Sequence, residues 1–161
     1  METELEAKFL DVDADALRAV LRARGGVLHY PERLMRRNVF DYPDGRLDKQ
    51  FNGWVRVRHE GDVITLTYKQ LNDRSLEGTK EVTVAVDSFE NACLFLTSIG
   101  LEQKAYQETK REKWHLDGCE VTIDTWPWIP TFVEIEGSSE AALRTAAAAL
   151  GFEWKDAMHG S

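Results

Sequence analysis

Apolar and polar residues alternate along most of this chain, a pattern typical of β-strands whose two faces meet different surroundings. The alternating segments are separated by turn signals such as Tyr42-Pro43-Asp44-Gly45 and Leu116-Asp117-Gly118. The pattern predicts about eight strands, which short hairpin connections make mainly antiparallel. Their predicted ranges are Glu2–Leu10, Leu34–Asp41, Gly53–His59, Val63–Gln70, Lys80–Val86, Lys104–Leu116, Cys119–Thr125 and Thr131–Gly137.

Three other segments carry the punctuation of helices, since each begins with a capping residue and ends just before a glycine. They are Asp13–Arg24, Asp87–Ile99 and Ser138–Leu150. The second contains an apolar stripe that we expect to face the sheet, formed by Phe89, Leu94, Phe95 and Leu96. Strands and helices together predict an α+β protein, mainly β, whose helices cover the apolar face of the sheet.

Size and charge limit the classes of protein that fit this pattern. The chain has 161 residues, 43% of them hydrophobic and 30% charged, and we expect one domain over residues 1–161. The formal net charge of -8 argues against duplex DNA or an anionic membrane surface as a partner, because both require a basic face. The chain shows neither an apolar run long enough to cross a bilayer nor a signal peptide, so we expect a cytoplasmic protein.

The alternation separates an apolar face from an ionic face, and on the ionic face the charges are grouped by sign. The ionic positions are Glu4, Glu6, Lys8, Arg56, Arg58, Lys69, Glu81, Asp124, Glu134 and Glu136. Glu-x-Glu pairs lie near both ends of the chain, whereas the arginines lie in the middle. Like charges on one face repel each other, so the paired carboxylates indicate a bound cation. The alternative is an ordinary solvated sheet face, which alternation alone does not exclude.

The grouped charges indicate two kinds of ligand. Two Glu-x-Glu pairs brought together offer hard oxygen ligands, which suit Mg²⁺ or Mn²⁺ better than zinc. Arg56 and Arg58 lie two residues apart on one face and offer planar guanidinium groups that match phosphate oxygens. Lys8, Lys69 and Arg111 add further positive charge. The sequence therefore predicts a site for a metal-bound string of phosphates.

The same residues resemble the CYTH domains, also called triphosphate tunnel metalloenzymes, a family with thiamine triphosphatase-like members and class IV adenylyl cyclases. The motifs that carry the resemblance occur in the expected order and are Glu4-Leu5-Glu6-Ala7-Lys8, Trp54-Val55-Arg56-Val57-Arg58, Thr67-Tyr68-Lys69, Lys80-Glu81, Lys110-Arg111, Ile123-Asp124 and Phe132-Val133-Glu134-Ile135-Glu136. The resemblance implies a closed antiparallel barrel of about eight strands, with the ionic face lining a tunnel and helices packed outside. Because the core then lies outside the barrel, we also expect a second copy of the chain, in a homodimer, to cover part of the outer face.

The resemblance also implies a role for each ionic residue. The implied ligands of Mg²⁺ or Mn²⁺ are Glu4, Glu6, Asp124, Glu134 and Glu136, with Glu81 as a weaker candidate. The implied triphosphate-binding residues are Lys8, Arg56, Arg58, Lys69 and Arg111, of which the first four also act in catalysis. Many relatives carry a second acid two residues after the position of Glu81, where this chain has Thr83. A fully occupied second metal site is therefore less expected.

Two tryptophans and three arginines are expected to lie outside the site. Trp126 and Trp128 lie in the loop before the last strand, and we expect this loop to pack against the barrel rather than the two rings to stack on an aromatic ligand. Arg36 and Arg37 lie on the predicted strand Leu34–Asp41 and Arg33 lies just before it. The pattern does not resolve which face each side chain takes, and we expect all three to be solvated.

The function implied by the resemblance is metal-dependent hydrolysis of an inorganic or organic triphosphate. One metal ion would chelate the phosphate chain, and a second metal or a carboxylate would orient the attacking water. Two alternatives stay open. One is a class IV adenylyl cyclase that converts ATP to cyclic AMP and pyrophosphate, and the other is a module that binds triphosphates without turning them over.

Overall fold

The structure is a computed structural model, and it describes residues 1–160. Within these residues nine strands form one sheet: β1 (Glu2–Glu4), β2 (Glu6–Phe9), β3 (Val27–Asp41), β4 (Gly53–His59), β5 (Ile64–Leu71), β6 (Thr79–Val86), β7 (Glu102–Leu116), β8 (Cys119–Trp126) and β9 (Ile129–Glu136). The helices are α1 (Ala14–Ala23), α2 (Arg46–Phe51), α3 (Phe89–Ser98) and α4 (Glu140–Ala149), with a short 3₁₀ helix at Trp154–Asp156.

The sheet is nearly closed into a barrel by the N-terminal strand. The strand order is β1-β6-β5-β4-β3-β7-β8-β9-β2, and all neighbours are antiparallel. The two edge strands, β1 and β2, are consecutive in the chain and are separated only by Leu5. β1 pairs with β6 and β2 pairs with β9, so the two edges meet at Leu5. The predicted antiparallel barrel is confirmed, and it has nine strands because the expected strand Glu2–Leu10 is divided in two.

Besides this division of the first strand, β3 and α2 differ most from the sequence prediction. β3 begins at Val27 rather than Leu34, and its extra residues contain Pro31 and register shifts that interrupt the alternation. Helix α2 was not predicted, because it has only six residues and buries none of them. Asp41 stabilises the start of α2, since its carboxylate accepts hydrogen bonds from the backbone N–H groups of Leu47 at 3.0 Å and Asp48 at 3.1 Å.

The hydrophobic core lies outside the barrel wall, as the resemblance implied. The larger part lies between β2, β8 and β9 on one side and helices α1 and α4 on the other, and includes Ala7, Leu17, Leu21, Val121, Val133, Ile135, Leu143 and Ala146. A smaller part lies beneath α3 and consists of Phe40, Val57, Phe89, Ala92, Leu96 and Leu101. The interior of the barrel is therefore free to hold charged side chains.

The prediction for the apolar stripe of α3 is wrong in part. Phe89, Ala92 and Leu96 form the buried face, whereas Leu94 and Phe95 are 63% and 60% exposed. Helix α3 packs against β4 and β7, and the outer face of β6 stays open, with Val82 and Val84 about half exposed. Among residues 1–160, the longest apolar helix is too short to span a bilayer.

Candidate functional site

A cavity of about 620 Å³ lies inside the barrel and is lined by alternate residues of the strands. Its charged lining residues are Glu4, Glu6, Lys8, Arg37, Arg56, Arg58, Lys69, Glu81, Arg111, Lys113, Glu120, Glu134 and Glu136. Of the residues predicted for the site, only Asp124 is missing from this lining. Most of the charged side chains fall into three groups that differ in how their charges are balanced.

The first group is the arginine cluster, made of Arg37 on β3 and Arg56 and Arg58 on β4. Arg37 and Arg58 lie directly opposite each other in the sheet. The Nε atoms of Arg37 and Arg56 have no hydrogen-bond partner within the described part of the chain. Burial, together with the neighbouring arginines, lowers the pKa of Arg37 to about 10 and that of Arg56 to about 9. These guanidinium groups repel each other, and a bound anion would reduce this repulsion, so the arginine cluster favours an anionic ligand.

Arg58 differs from the other members of the arginine cluster because it has an acidic partner. Its Nε and Nη2 atoms lie 2.7 Å and 2.5 Å from the same carboxylate oxygen, Oε1 of Glu60. Burial alone would raise the pKa of Glu60, but Arg58 outweighs it and lowers the pKa. Glu60 is 7% exposed and was not predicted as part of the site.

The second group is the acidic cluster, made of Glu4, Glu6, Glu81 and Glu136, from β1, β2, β6 and β9. Burial, with Glu134 and Glu4 nearby, raises the pKa of Glu6 to about 8. Burial, with Glu4 and Glu120 nearby, raises the pKa of the more exposed Glu136 to about 7. The ammonium of Lys69 is a partial counter-ion, 2.5 Å from Oε2 of Glu4 and 3.9 Å from Oε2 of Glu81. The acidic cluster therefore has fewer cations than its carboxylates can accept.

The acidic cluster fits a hard divalent cation by the chemistry of its donors. All of its side chains offer carboxylate oxygens, the ligands preferred by Mg²⁺ and Mn²⁺. In the described chain no three acidic, histidine or cysteine side chains are already placed to hold a metal ion together. Lys69 lies beside Glu4 and Glu81, so a cation that binds there has to displace this ammonium or share the carboxylates with it.

The third group is the paired network of Lys8, Arg111, Asp124 and Glu134. Arg111 contacts Oδ1 of Asp124 through Nε and Oε2 of Glu134 through Nη2, both at 2.7 Å. Lys8 Nζ lies 3.1 Å from Oε1 of Glu134. Burial alone would raise the pKa of Glu134, but Arg111 and Lys8 lower it to about 2. In this network positive and negative charges already balance each other.

Asp124 lies behind Arg111 rather than on the cavity surface. It is 2% exposed, and its second carboxylate oxygen accepts a hydrogen bond of 2.9 Å from the hydroxyl of Thr122. Both of its oxygens are thus used by the protein itself. The role of Asp124 as a metal ligand stays a prediction.

Met158 and Gly160 contact Lys8 from the side opposite β9. The backbones of Lys8 and Met158 form two hydrogen bonds of 2.9 Å, one in each direction. The ammonium of Lys8 donates to the carbonyl of Gly160 at 3.4 Å. Lys8 is therefore held between this segment and Glu134.

The structure adds residues that the sequence interpretation left out of the site. Arg37 was expected to be solvated but lines the cavity, with its guanidinium 4.2 Å from the ring centre of Trp126. Arg36 points to the outer surface, near Glu90. Trp126 also lines the cavity, whereas Trp128 is 94% exposed, so the expectation that Trp128 packs against the barrel is wrong.

Lys113 and Glu120 also line the cavity and form an ion pair of 2.6 Å. Both were detectable from the sequence. Lys113 lies two residues from Arg111 on the same strand face, and Glu120 lies an even number of residues from Asp124.

Comparison with known proteins identifies the family. The CYTH domain model matches residues 2–153, so the chain belongs to the CYTH domain family, and the resemblance seen in the sequence is confirmed. A comparison with curated proteins found no match.

Solved structures share the fold at low sequence identity. A "putative adenylate cyclase" from Vibrio parahaemolyticus is 16% identical, with a TM-score of 0.82 over 99% of this chain and 95% of that chain. The PH1012 protein of Pyrococcus horikoshii is 18% identical, with a TM-score of 0.78 over 96% of this chain and 93% of that chain. The "putative adenylyl cyclase HpAC1" from Hippeastrum is 14% identical, with a TM-score of 0.65 over 98% of this chain and 91% of that chain. At these identities the likeness establishes the fold and not the reaction.

Proposed function

We propose that the protein is a metal-dependent hydrolase of inorganic or organic triphosphates. One observation carries this proposal: the arginine cluster and the acidic cluster face the same cavity, and each has too few groups of the opposite charge. A triphosphate with a divalent cation supplies anionic oxygens to the arginines and positive charge to the carboxylates. Binding of the two together therefore relieves both excesses of charge at once.

The chain's own cations bind the phosphate oxygens in this proposal. Arg56, Arg58 and Arg37 offer planar sets of N–H donors, and Lys8, Lys69 and Arg111 add charge at the border with the carboxylates. These groups neutralise the charge that develops on the transferred phosphoryl group and on the leaving group. Lys69 lies next to Glu4, and Lys8 lies next to Glu134. The proposed phosphate-binding cations therefore border the proposed metal ligands.

The proposed metal ligands are Glu4, Glu6, Glu134 and Glu136, with Glu81 and Asp124 as further candidates. When bound, Mg²⁺ or Mn²⁺ supplies a Lewis acid that polarises phosphoryl oxygens and the attacking water. We assign the orientation of that water to a carboxylate of the acidic cluster, because these side chains line the cavity without enough cations of their own.

Adenylyl cyclase activity is the second candidate function, because the cavity is large enough to hold an organic ligand as well as phosphates. A cavity of about 620 Å³ lies within the range of about 300–1,000 Å³ that accommodates a drug-sized organic ligand. In that reaction the ribose 3′-hydroxyl attacks the α-phosphorus of ATP, and pyrophosphate leaves. The Hippeastrum relative is named as a putative adenylyl cyclase, and a dominant triphosphatase activity is stated for it. Both reactions use the same cations, so product analysis has to separate them.

Product analysis in the presence of Mg²⁺ or Mn²⁺ tests the proposal. The protein is incubated separately with tripolyphosphate, thiamine triphosphate and ATP, and the products are resolved. Release of orthophosphate is the expected result. Cyclic AMP with pyrophosphate identifies the cyclase instead, and thermal stabilisation by a triphosphate without products identifies a binding module.

The variant Arg58→Ala tests the role of the arginine cluster in the same assay. We expect turnover to fall far more than thermal stability, whereas the surface variant Arg36→Ala keeps its turnover. Unchanged turnover in a folded Arg58→Ala protein refutes the proposed role of Arg58.

Several expectations from the sequence stay predictions. They are a cytoplasmic location, the lack of a nucleic-acid or membrane partner, and a homodimer that covers part of the outer face. Analytical ultracentrifugation tests the homodimer, and a monomer at micromolar concentration contradicts it.

A further inference from the structure

The turn between β4 and β5 places an acid beside an otherwise cationic part of the barrel wall. Glu60 follows Arg58 by two residues, and its carboxylate turns back to the guanidinium of Arg58. Glu60 is nearly fully buried, so solvent screens this contact weakly. Neither Arg37 nor Arg56 has such a contact at Nε among residues 1–160.

The geometry of the contact restricts the orientation of Arg58. A guanidinium carries five N–H donors in a fixed plane. Glu60 takes one donor from Nε and one from Nη2, both with the same oxygen, Oε1. Both donors of Nη1 and the second donor of Nη2 stay available to a ligand in the cavity. The contact therefore fixes one edge of the guanidinium and leaves the other edge free to donate to a ligand in the cavity.

Glu60 is itself held in place by the hairpin. Its backbone N–H donates to the carbonyl of Val63 at 2.8 Å. The hydroxyl of Thr65 lies 3.4 Å from the same Oε1 atom that contacts Arg58. The carboxylate is thus attached to the turn and to β5, and it acts as a fixed point for the side chain of Arg58.

We propose that Glu60 is a positioning residue that fixes Arg58 for the transition state while opposing the binding of the triphosphate in the ground state. This inference rests on the proposed function. The negative charge of Glu60 repels an anionic ligand, but its contact with Arg58 holds the guanidinium where charge develops during the reaction. An interaction of this kind raises kcat at the expense of affinity.

Two substitutions at Glu60 separate the two effects, and Asp62 provides a matched control. Asp62 lies in the same turn, is 72% exposed at its side chain and pairs with Arg33 rather than with Arg58. The measurements are kcat and KM for tripolyphosphate with Mg²⁺ or Mn²⁺, and calorimetric binding of tripolyphosphate without a metal. The variants are Glu60→Ala, Glu60→Gln and Asp62→Asn.

We expect Glu60→Ala to lower kcat by about tenfold or more, because Arg58 loses its orientation. Its affinity for tripolyphosphate is expected to be unchanged or higher, because a negative charge has been removed. Glu60→Gln is expected to retain most of kcat, since the amide oxygen still accepts from Arg58, and to bind more tightly. Asp62→Asn is expected to stay within about twofold of the wild type in both measurements, as for a surface charge.

The outcomes distinguish this inference from the proposed function. A wild-type protein that neither binds nor hydrolyses tripolyphosphate overturns both. A wild-type protein that is active, with a Glu60→Ala variant of equal kcat, overturns only the role of Glu60. Equal losses of kcat and affinity, without rescue in Glu60→Gln, also overturn it, because they indicate a purely structural role. If Glu60→Ala does not fold, a Glu60→Gln variant with weaker binding than the wild type overturns the inference.

Discussion

The paired network and the arginine cluster lie in one barrel, but they differ in whether their buried charges are paired. The charges of the paired network have partners of opposite sign, whereas most of those in the arginine cluster do not. In the paired network, Arg111 has a carboxylate at 2.7 Å on each of two donors, and its pKa is raised. In the arginine cluster, Arg56 has no partner at Nε among residues 1–160, and its pKa is lowered. In the first arrangement the buried charges are balanced without a ligand. The second is unfavourable until an anion arrives, which is the property expected of a binding site.

Breaking the paired network is expected to give the largest effect, a loss of stability. Asp124→Ala removes a carboxylate that is 2% exposed and leaves Arg111 without one of its two partners. Loss of one member of a buried ion pair costs about 3 kcal/mol or more in the free energy of unfolding. Urea denaturation of the ligand-free protein measures this loss. A change below about 1 kcal/mol, within the range of an exposed pair, shows that Glu134 alone is enough to hold Arg111.

The same kind of change in the arginine cluster is expected to affect activity instead. Arg56→Ala removes a cation that has only like charges as its close neighbours on β3 and β4. Turnover of tripolyphosphate is expected to fall by about 100-fold, the loss typical for a donor that stabilises developing charge. The free energy of unfolding of the ligand-free protein is expected to stay the same or to rise. A clear loss of stability shows that Arg56 supports the fold, and the contrast with Arg111 then fails.

Arg36 and Arg37 are adjacent in the chain but point to opposite sides of the barrel wall. Arg37 lines the cavity, whereas Arg36 is 44% exposed and lies near Glu90. Arg37→Ala is expected to weaken tripolyphosphate binding by about tenfold, the value of one charge-assisted contact. Arg36→Ala is expected to change it by less than about twofold. Calorimetry measures both, and equal effects place Arg37 outside the binding site.

The acidic cluster predicts a dependence of stability on pH. The pKa of Glu6 is raised from 4.5 to about 8 in the folded protein, so between these values the folded state binds a proton that the unfolded state has lost. Without divalent cations, the free energy of unfolding is therefore expected to fall by at least about 1 kcal/mol as pH rises from 5 to 8. Thermal denaturation across this range measures the change, and Glu6→Gln is expected to reduce it.

Divalent cations extend this test. Mn²⁺ is expected to raise the melting temperature more at pH 8 than at pH 6, because the carboxylates have then lost the protons that compete with the metal. A pH-independent response to Mn²⁺ contradicts the assignment of Glu6 to the metal site.

The period of two explains why much of the candidate site was predictable. Successive side chains of a strand point to opposite faces. The residues that line the cavity as this alternation indicated include Glu4, Glu6, Lys8, Arg56 and Arg58. The same rule did not place Arg37. It lies within Arg36-Arg37-Asn38, three polar residues in a row, so the pattern does not show which of them faces inward.

Glu60 escaped prediction for a different reason. It shares strand parity with Arg58, but the predicted strand ends at His59 and the sequence Glu60-Gly61-Asp62 is a turn signal, so the alternation was not extended to Glu60. The exposure of Leu94 and Phe95 on α3 could not be predicted either, because both an inward and an outward face of this helix are apolar.

The face on which most side chains lie follows from local backbone geometry, and the grouping of their charges by sign follows from the order of residues along each strand, so both can be read from the amino-acid sequence. The tertiary structure decided which strands are neighbours, and therefore which charges meet. Lys8 reaches Glu134 because β2 pairs with β9, a strand from the other end of the chain, and the barrel closes because β1 and β2, on either side of Leu5, pair with different strands. Strand order and register depend on contacts between residues far apart in the chain, and no local period contains that information.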